Sequence, residues 1–255
     1  MSRAFAFGDV HGHLDPFAAR LEEAGLVDTR LRWTGGDAEL WLTGDLADRG
    51  PLGAEVVDLV MRLDGESQAA GGAVHCLLGN HDLLLIAVAR FGDFESRSPR
   101  ASIRADWDAN GGTARDLEHL TDEHVAWLAR RPALGCRGST LLVHCDSTLY
   151  LELGDGVEEV NEVAASTLAG DDESRWSDLD DRLWRRNELR DPREAQRFVE
   201  AFGCERVVHG HTPIPVVTGD HPESVSGPLV YAGGRCINVD GGLYMGGPGF
   251  VWELE

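Results

Sequence analysis

Aspartate, asparagine and histidine recur at five places in this 255-residue chain, at four of them beside glycine. They read Gly8-Asp9-Val10-His11-Gly12, Gly44-Asp45-Leu46-Ala47-Asp48-Arg49-Gly50, Gly79-Asn80-His81-Asp82, His144-Cys145-Asp146 and His209-Gly210-His211-Thr212. Each follows a short apolar run. Such side chains are costly to bury unpaired, so five turns of this kind brought together point to metal coordination. One Gly-Asp or Gly-Asn pair is an ordinary turn signal. The ordered set is far more specific than any of its members.

The apolar runs that carry these turns are Arg3–Phe7, Glu39–Thr43, Val74–Leu78, Thr140–Val143 and Arg206–Val208, followed by Leu229–Tyr231 and Cys236–Val239. Runs this short, bounded by turn residues, read as buried strands. Helical patterns lie between the early ones: Leu14–Ala24, Leu52–Leu63 behind Pro51, and Asp82–Phe91. Strand–helix alternation predicts an α/β fold with a largely parallel central sheet, whose carboxyl ends build the site. The Gly-rich run from Leu229 to Glu253 reads as antiparallel strands. Two polar helical stretches, 97–131 and 157–197, contain Trp107, Trp127, Trp176 and Trp184 and read as insertions covering one end of the sheet. No linker or repeat breaks the chain, so residues 1–255 are expected to form one domain.

Composition narrows the chemistry. With 42% hydrophobic and 26% charged residues the chain can bury a core without disulfides. All 23 basic residues are Arg, which excludes Schiff-base and phosphate-loop lysines. A net charge of −21 argues against non-specific nucleic-acid binding, so any phosphate must be met by metals or a few placed arginines. Five cysteines, an odd number without a Cys-x-x-Cys pair, fit a reduced compartment. No targeting segment is visible, and the most apolar stretch, Leu83–Ala89, is far too short to span a bilayer. A cytoplasmic enzyme with no membrane partner is expected.

With these residues in order, the chain resembles the calcineurin-like metallophosphoesterase superfamily. Within it, the chain is most similar to the phosphoprotein phosphatase branch, which includes bacterial Ser/Thr phosphatases and symmetrical diadenosine tetraphosphatases. The motifs run from Asp9 to His211, and Ile237-Asn238-Val239-Asp240 fits the branch's C-terminal strand. The resemblance implies a β-sandwich flanked by helices, with helical insertions over the active site and two divalent ions about 3.5–4 Å apart. Asp9 and His11 would hold the first ion, Asp45 would bridge, and Asn80, His144 and His211 would complete the second. These nitrogen and oxygen donors suit manganese first, with iron or zinc as alternatives.

The same carry-over makes His81 a general acid facing the leaving group. Asp48 would fix its tautomer and raise its pKa. Arg49 would fork onto the phosphoryl oxygens, and Leu183-Trp184-Arg185-Arg186, similar to a bacterial L-W-x-R segment, makes Arg186 rather than Arg185 the second clamp. His209 reads as a support, His13 as a cap or surface group, and His75, His119, His124 and His221 as structural or surface residues.

Three departures bear on the assignment. Cys145-Asp146 stands where small residues are usual, Pro213 where many phosphodiesterases carry a second His, and Asp82 where eukaryotic protein phosphatases carry Glu. The function this implies is dinuclear metal-dependent hydrolysis of phosphomonoesters, protein phosphatase-like, by attack of a metal-bridging hydroxide. The substrate would be a phosphorylated protein or a small phosphoester. Dinucleoside polyphosphate hydrolysis is the alternative, and a catalytically inactive metal-binding interaction protein the third.

Overall fold

The computed structural model describes residues 2–254. Its first three strands, β1 (Ala4–Phe7), β2 (Glu39–Leu42) and β3 (Ala73–Cys76), pair in parallel, Ala4 opposite Glu39 and Glu39 opposite Ala73. Parallel neighbours need crossovers, here made by α1 (Leu14–Glu23) and α2 (Gly53–Ala69). The strands are buried, hence their nearly unbroken apolar composition. β9 (Trp252–Leu254) closes this sheet antiparallel to β1, giving the order β3-β2-β1-β9.

A second sheet holds β4 (Leu134–Arg137), β5 (Thr140–Val143), β6 (Arg206–His209), β7 (Leu229–Tyr231) and β8 (Cys236–Asn238) in the order β4-β5-β6-β8-β7. Strands β5, β6 and β8 run parallel, while β4 and β7 are antiparallel edges. The expected single central sheet is thus divided in two, as the family resemblance implied. Ala4, Ala6 and Trp41 of the first sheet share one apolar cluster with Leu142, Val208 and Ile237 of the second. Their neighbours Phe5, Phe7, Leu40 and Leu42 belong to the cluster that includes the helices. That alternation is the period of a strand whose faces meet different layers. Gly135 leaves room for Trp41, because a Cβ there would lie 2.5 Å from its ring.

The remaining helices are α3 (Asn80–Phe91), α4 (Ile103–Ala109), α5 (Ala114–His119), α6 (Asp122–Leu128), α7 (Val157–Ala169), α8 (Glu173–Leu183), α9 (Pro192–Ala201) and α10 (Ile214–Thr218). Both predicted insertions are therefore helical. Their starts are legible: the side chains of Ser102, Thr113, Thr121, Asp172 and Asp191 each accept a first-turn N–H. Helix α3 begins two residues before the predicted start and so includes Asn80 and His81. His13 stands at the α1 cap position, but its side chain makes no capping hydrogen bond. No helix among the described residues is long and apolar enough to cross a membrane.

Candidate metal centre and active site

The five turns sit at the carboxyl ends of β1, β2, β3, β5 and β6, where the edges of the two sheets converge. Their backbones are sharply turned. His11 (φ 48°), Asp45 (53°), Asp48 (65°), Arg49 (65°) and His211 (66°) all occupy the left-handed region. Such residues persist where the surroundings over-determine them, typically at functional sites. Two glycines make the close approach possible. A Cβ on Gly79 would lie 2.1 Å from Asp45 Oδ1, and one on Gly210 would lie 2.3 Å from Asp9 Oδ1.

The tautomers follow from backbone partners. His11 Nδ1 lies 3.1 Å from the Ala47 carbonyl and His144 Nδ1 lies 2.9 Å from the Thr43 carbonyl, so both rings carry their proton on Nδ1. Their Nε2 lone pairs then face inward, each 3.6 Å from Asp45 Oδ2. One carboxylate oxygen thus stands between two imidazoles. His144 Nε2 is also 2.9 Å from Asn80 Oδ1 and 3.1 Å from His211 Nδ1. Asp9 Oδ2 is 3.9 Å from His11 Nε2, and its carboxylate accepts from the His211 N–H. Among the described residues, two clusters could hold a metal ion: His11, Asp45 and His81, and Asp45, His144 and His211. They share Asp45.

Two observations test whether metal fits. His144 Nε2 and Asn80 Oδ1 are both acceptors at 2.9 Å, with no hydrogen between them. A cation satisfies that contact. The carboxylates also crowd one another: burial, then Asp240 and Asp45, holds Asp9 well above the carboxylate range, and burial with Asp82 does the same to Asp45. Burial pushes Asp240 up to about 6, and its Oδ2 is buried without a hydrogen-bond partner. Burial likewise drives His144 down to about 3 and His11 and His211 well below the usual range, so they remain neutral donors of lone pairs. The residues fit a site for divalent cations.

Beside this centre His81 Nδ1 lies 3.0 Å from Asp48 Oδ2, and His81 Nε2 lies 2.7 Å from Arg49 Nη2. Arg49 donates to that nitrogen, so His81 is neutral with its proton toward Asp48. The expectation that Asp48 raises His81 is corrected here. Burial first, then the charges of His11 and Arg49, pushes His81 well below its usual value. Asp48 is itself pushed well up, by burial and then by Asp116.

Arg186 is exposed, its guanidinium 5.9 Å from the Trp184 ring, and its charge acts on His144, His211 and Asp240. Arg185 turns away to pair with Glu152. The Trp184 ring lies 5.6 Å from His81 and 6.2 Å from His211.

Several participants escaped sequence reasoning. The Trp107 indole donates to Asp48 Oδ1 at 2.9 Å, and the Asp48 N–H donates to Asp116 Oδ2 at 3.1 Å. Asp82 accepts from the backbone of Asp45, Leu46 and Gly79, fixing the turn that carries the shared carboxylate. Tyr244 stacks on Arg49 at 4.1 Å. Asp82 and Asp240 lay within or beside quoted motifs and could have been found; Trp107, Asp116 and Tyr244 carry no local signal. Among the remaining histidines, His209 contacts Tyr231, His75 stacks on Trp41, His124 pairs with Asp58, His119 faces its own helix backbone, and His221 is exposed.

The family model for calcineurin-like phosphoesterases matches residues 2–215. A symmetrical bis(5′-nucleosyl)-tetraphosphatase of Enterobacter sp. (strain 638) is 31% identical over 238 residues, 88% of this chain and 72% of that protein. Shewanella-like protein phosphatase 2 of Arabidopsis thaliana is 33% identical over 119 residues, 45% of this chain but 29% of that protein. Among solved structures, the cold-active protein-tyrosine phosphatase of a psychrophilic Shewanella sp. shares the fold, with a TM-score of 0.75 and 24% identity over all of this chain and 76% of that one. The chain therefore belongs to the calcineurin-like phosphoesterase family, in its phosphoprotein phosphatase branch, and is a hydrolase of phosphoester bonds.

Proposed function

We propose that this chain hydrolyses phosphomonoesters with two divalent ions. Asp9 and His11 would hold one, Asn80, His144 and His211 would hold the other, and Asp45 would serve both. The observation that carries the reading is Asp45 Oδ2 at 3.6 Å from each of two inward-facing imidazoles. Divalent ions held there, manganese first, would supply Lewis-acid polarisation of the phosphoryl group and acidify a water nucleophile. Arg49 and Arg186 bind the phosphoryl oxygens, so Arg49 must leave His81 Nε2 when substrate enters. That exchange frees Nε2 to take up a proton from solvent and removes the guanidinium that opposes it; the doubly protonated ring can then pass that proton to the departing oxygen and return to its neutral form, while Asp48, held by Trp107, keeps the ring oriented. Five free thiols fit the reduced, cytoplasmic setting this reading assumes.

Hydrolysis of p-nitrophenyl phosphate tests the reading. Turnover should require Mn²⁺, vanish on chelation and return on reloading, with two ions bound per chain. Fewer than one ion in the presence of excess Mn²⁺ overturns it. A second reading, dinucleoside polyphosphate hydrolysis, draws on the relative matched over 88% of this chain. A panel containing a phosphopeptide and diadenosine tetraphosphate separates the two.

A further inference from the structure

The cysteines differ in their surroundings. Cys76, Cys145 and Cys236 are buried, and their sulfurs lie against the Leu77 carbonyl, the Tyr150 hydroxyl and the Leu189 carbonyl. Cys136 is exposed on β4, and its Sγ lies 3.5 Å from that of Cys204, 68 residues away. Backbone hydrogen bonds fix both partners. Helix α9 ends in a Schellman turn: Gly203, at φ 68°, donates to the Glu200 carbonyl, and the Cys204 N–H donates to the Val199 carbonyl at 2.8 Å. The next residue, Glu205, donates to the Ser139 carbonyl at 2.8 Å, in the turn between β4 and β5. In that hairpin Cys136 stands opposite Leu141. The chain thus enters β6 pinned beside the hairpin, and the two thiols meet toward the amino ends of β5 and β6, away from the metal ligands.

Sulfurs in van der Waals contact leave room for nothing between them, so bonding asks for rotation of the two side chains and not for movement of the strands. Their exposure is unequal. Cys136 is open to solvent, whereas Cys204 is 6% exposed. An external reagent therefore meets Cys136 first, and the chemistry balances in two steps. The Cys136 thiolate attacks one sulfur of a small-molecule disulfide, forming a mixed disulfide and releasing one small thiolate. Cys204 then gives up its proton and attacks the Cys136 sulfur, which expels the second small thiolate. Two protein thiols are oxidised, one small disulfide is reduced to two thiols, and both protons end on the released thiolates. Desolvation of its partly covered sulfur, then Cys204 beside it, pushes the Cys136 thiol up to about 12. Thiolate is scarce near neutral pH and the exchange is slow, which suits sustained oxidation and not a brief pulse.

We propose that Cys136 and Cys204 form a reversible disulfide, made by exchange with a small-molecule disulfide, that staples β4 to the turn between α9 and β6. The ring it closes contains His144, Trp184 and Arg186, so the staple restrains the segment that carries them. The site is independent of the hydrolase reading, and turnover does not enter its test. The Mn²⁺-loaded protein is treated with oxidised glutathione at pH 8, freed of excess reagent, and its thiols are counted after denaturation. The count should fall from five to three, with one cross-linked peptide joining residues 136 and 204, and dithiothreitol should restore five. Cys204→Ser should stop at a mixed disulfide on Cys136, and Cys136→Ser should keep all of its thiols. In urea the oxidised wild type should show a folding equilibrium constant about 30-fold to 900-fold above that of the reduced protein, the usual range for a disulfide. Five thiols retained, a wild-type reaction that halts at the mixed disulfide, a bond between two chains, or an oxidised protein no harder to unfold than the reduced one overturns the proposal.

Discussion

Replacing Asp180 by Asn removes one titration and keeps one hydrogen bond. Asp180 lies on α8, 3% exposed, and its Oδ1 accepts the indole N–H of Trp184 at 3.0 Å. Asp106 and Asp181 add negative charge around it, and Arg100 pairs with Asp106 at 3.6 Å. Burial, the largest cause, pushes the Asp180 carboxyl from 3.8 up to about 7, against the pull of the Trp184 hydrogen bond. The folded chain therefore keeps a proton that the unfolded chain releases near pH 4. Between about pH 4 and pH 7 the native state binds one more proton than the unfolded state, so stability falls as pH rises. The slope is at most about 1.4 kcal/mol per pH unit, and the total reaches about 4 kcal/mol. Above pH 7 both states are ionised and the loss stops. Asn is neutral throughout, and its amide oxygen can still accept from Trp184. Relative to wild type, Asp180→Asn should thus gain about 4 kcal/mol between pH 4 and pH 8. Urea unfolding followed by tryptophan fluorescence, at half-unit pH steps with Mn²⁺ in excess, reads the difference, and taking the difference cancels the other titrating groups. Parallel stability curves would refute the reasoning, since Asp180 would then ionise alike in both states.

Three further predictions concern the site. His81→Ala should depress hydrolysis of an alkyl phosphate by about 10²–10⁴-fold and that of p-nitrophenyl phosphate clearly less, because p-nitrophenolate leaves without a proton; metal content should hold, and equal losses on both would reassign His81 to positioning. Arg186→Ala should raise KM and lower kcat/KM at unchanged metal content, whereas Arg185→Ala, which removes one of the two arginines paired with Glu152, should leave both kinetic constants near wild type; the reverse pattern would exchange their roles. Asp45→Asn should lower both bound metal and rate, since one oxygen faces both clusters; a variant that still binds two ions would show that Asp45 is not shared.

Much of the site was legible along the chain because each member stands at the end of its own strand. A four-residue apolar run is a complete local signal, and the polar residue after it must lie at the carboxyl end of a sheet. Asp9, Asp45, Asn80, His144 and His211 could therefore be named before the structure, and the family resemblance ordered them. The sequence also placed both helical insertions, since caps such as Ser102, Thr113 and Asp172 act within one turn. What tertiary structure alone decided concerns partners far apart in sequence. Runs in the two sheets are alike in composition, and only packing separates β1–β3 from β5, β6 and β8. Trp107 meets Asp48 across 59 residues and is part of a helix with no motif. The state of His81 depends on desolvation and on Arg49 folding back onto Nε2, neither of which neighbouring residues reveal. Asp146 likewise looked like a departure from pattern until the fold brought it the hydroxyl of Tyr231, 85 residues away, as a donor to its Oδ2. Local rules set which residues can do chemistry. Burial and long-range hydrogen bonds, which depend on the whole chain, set the protonation and orientation in which they do it.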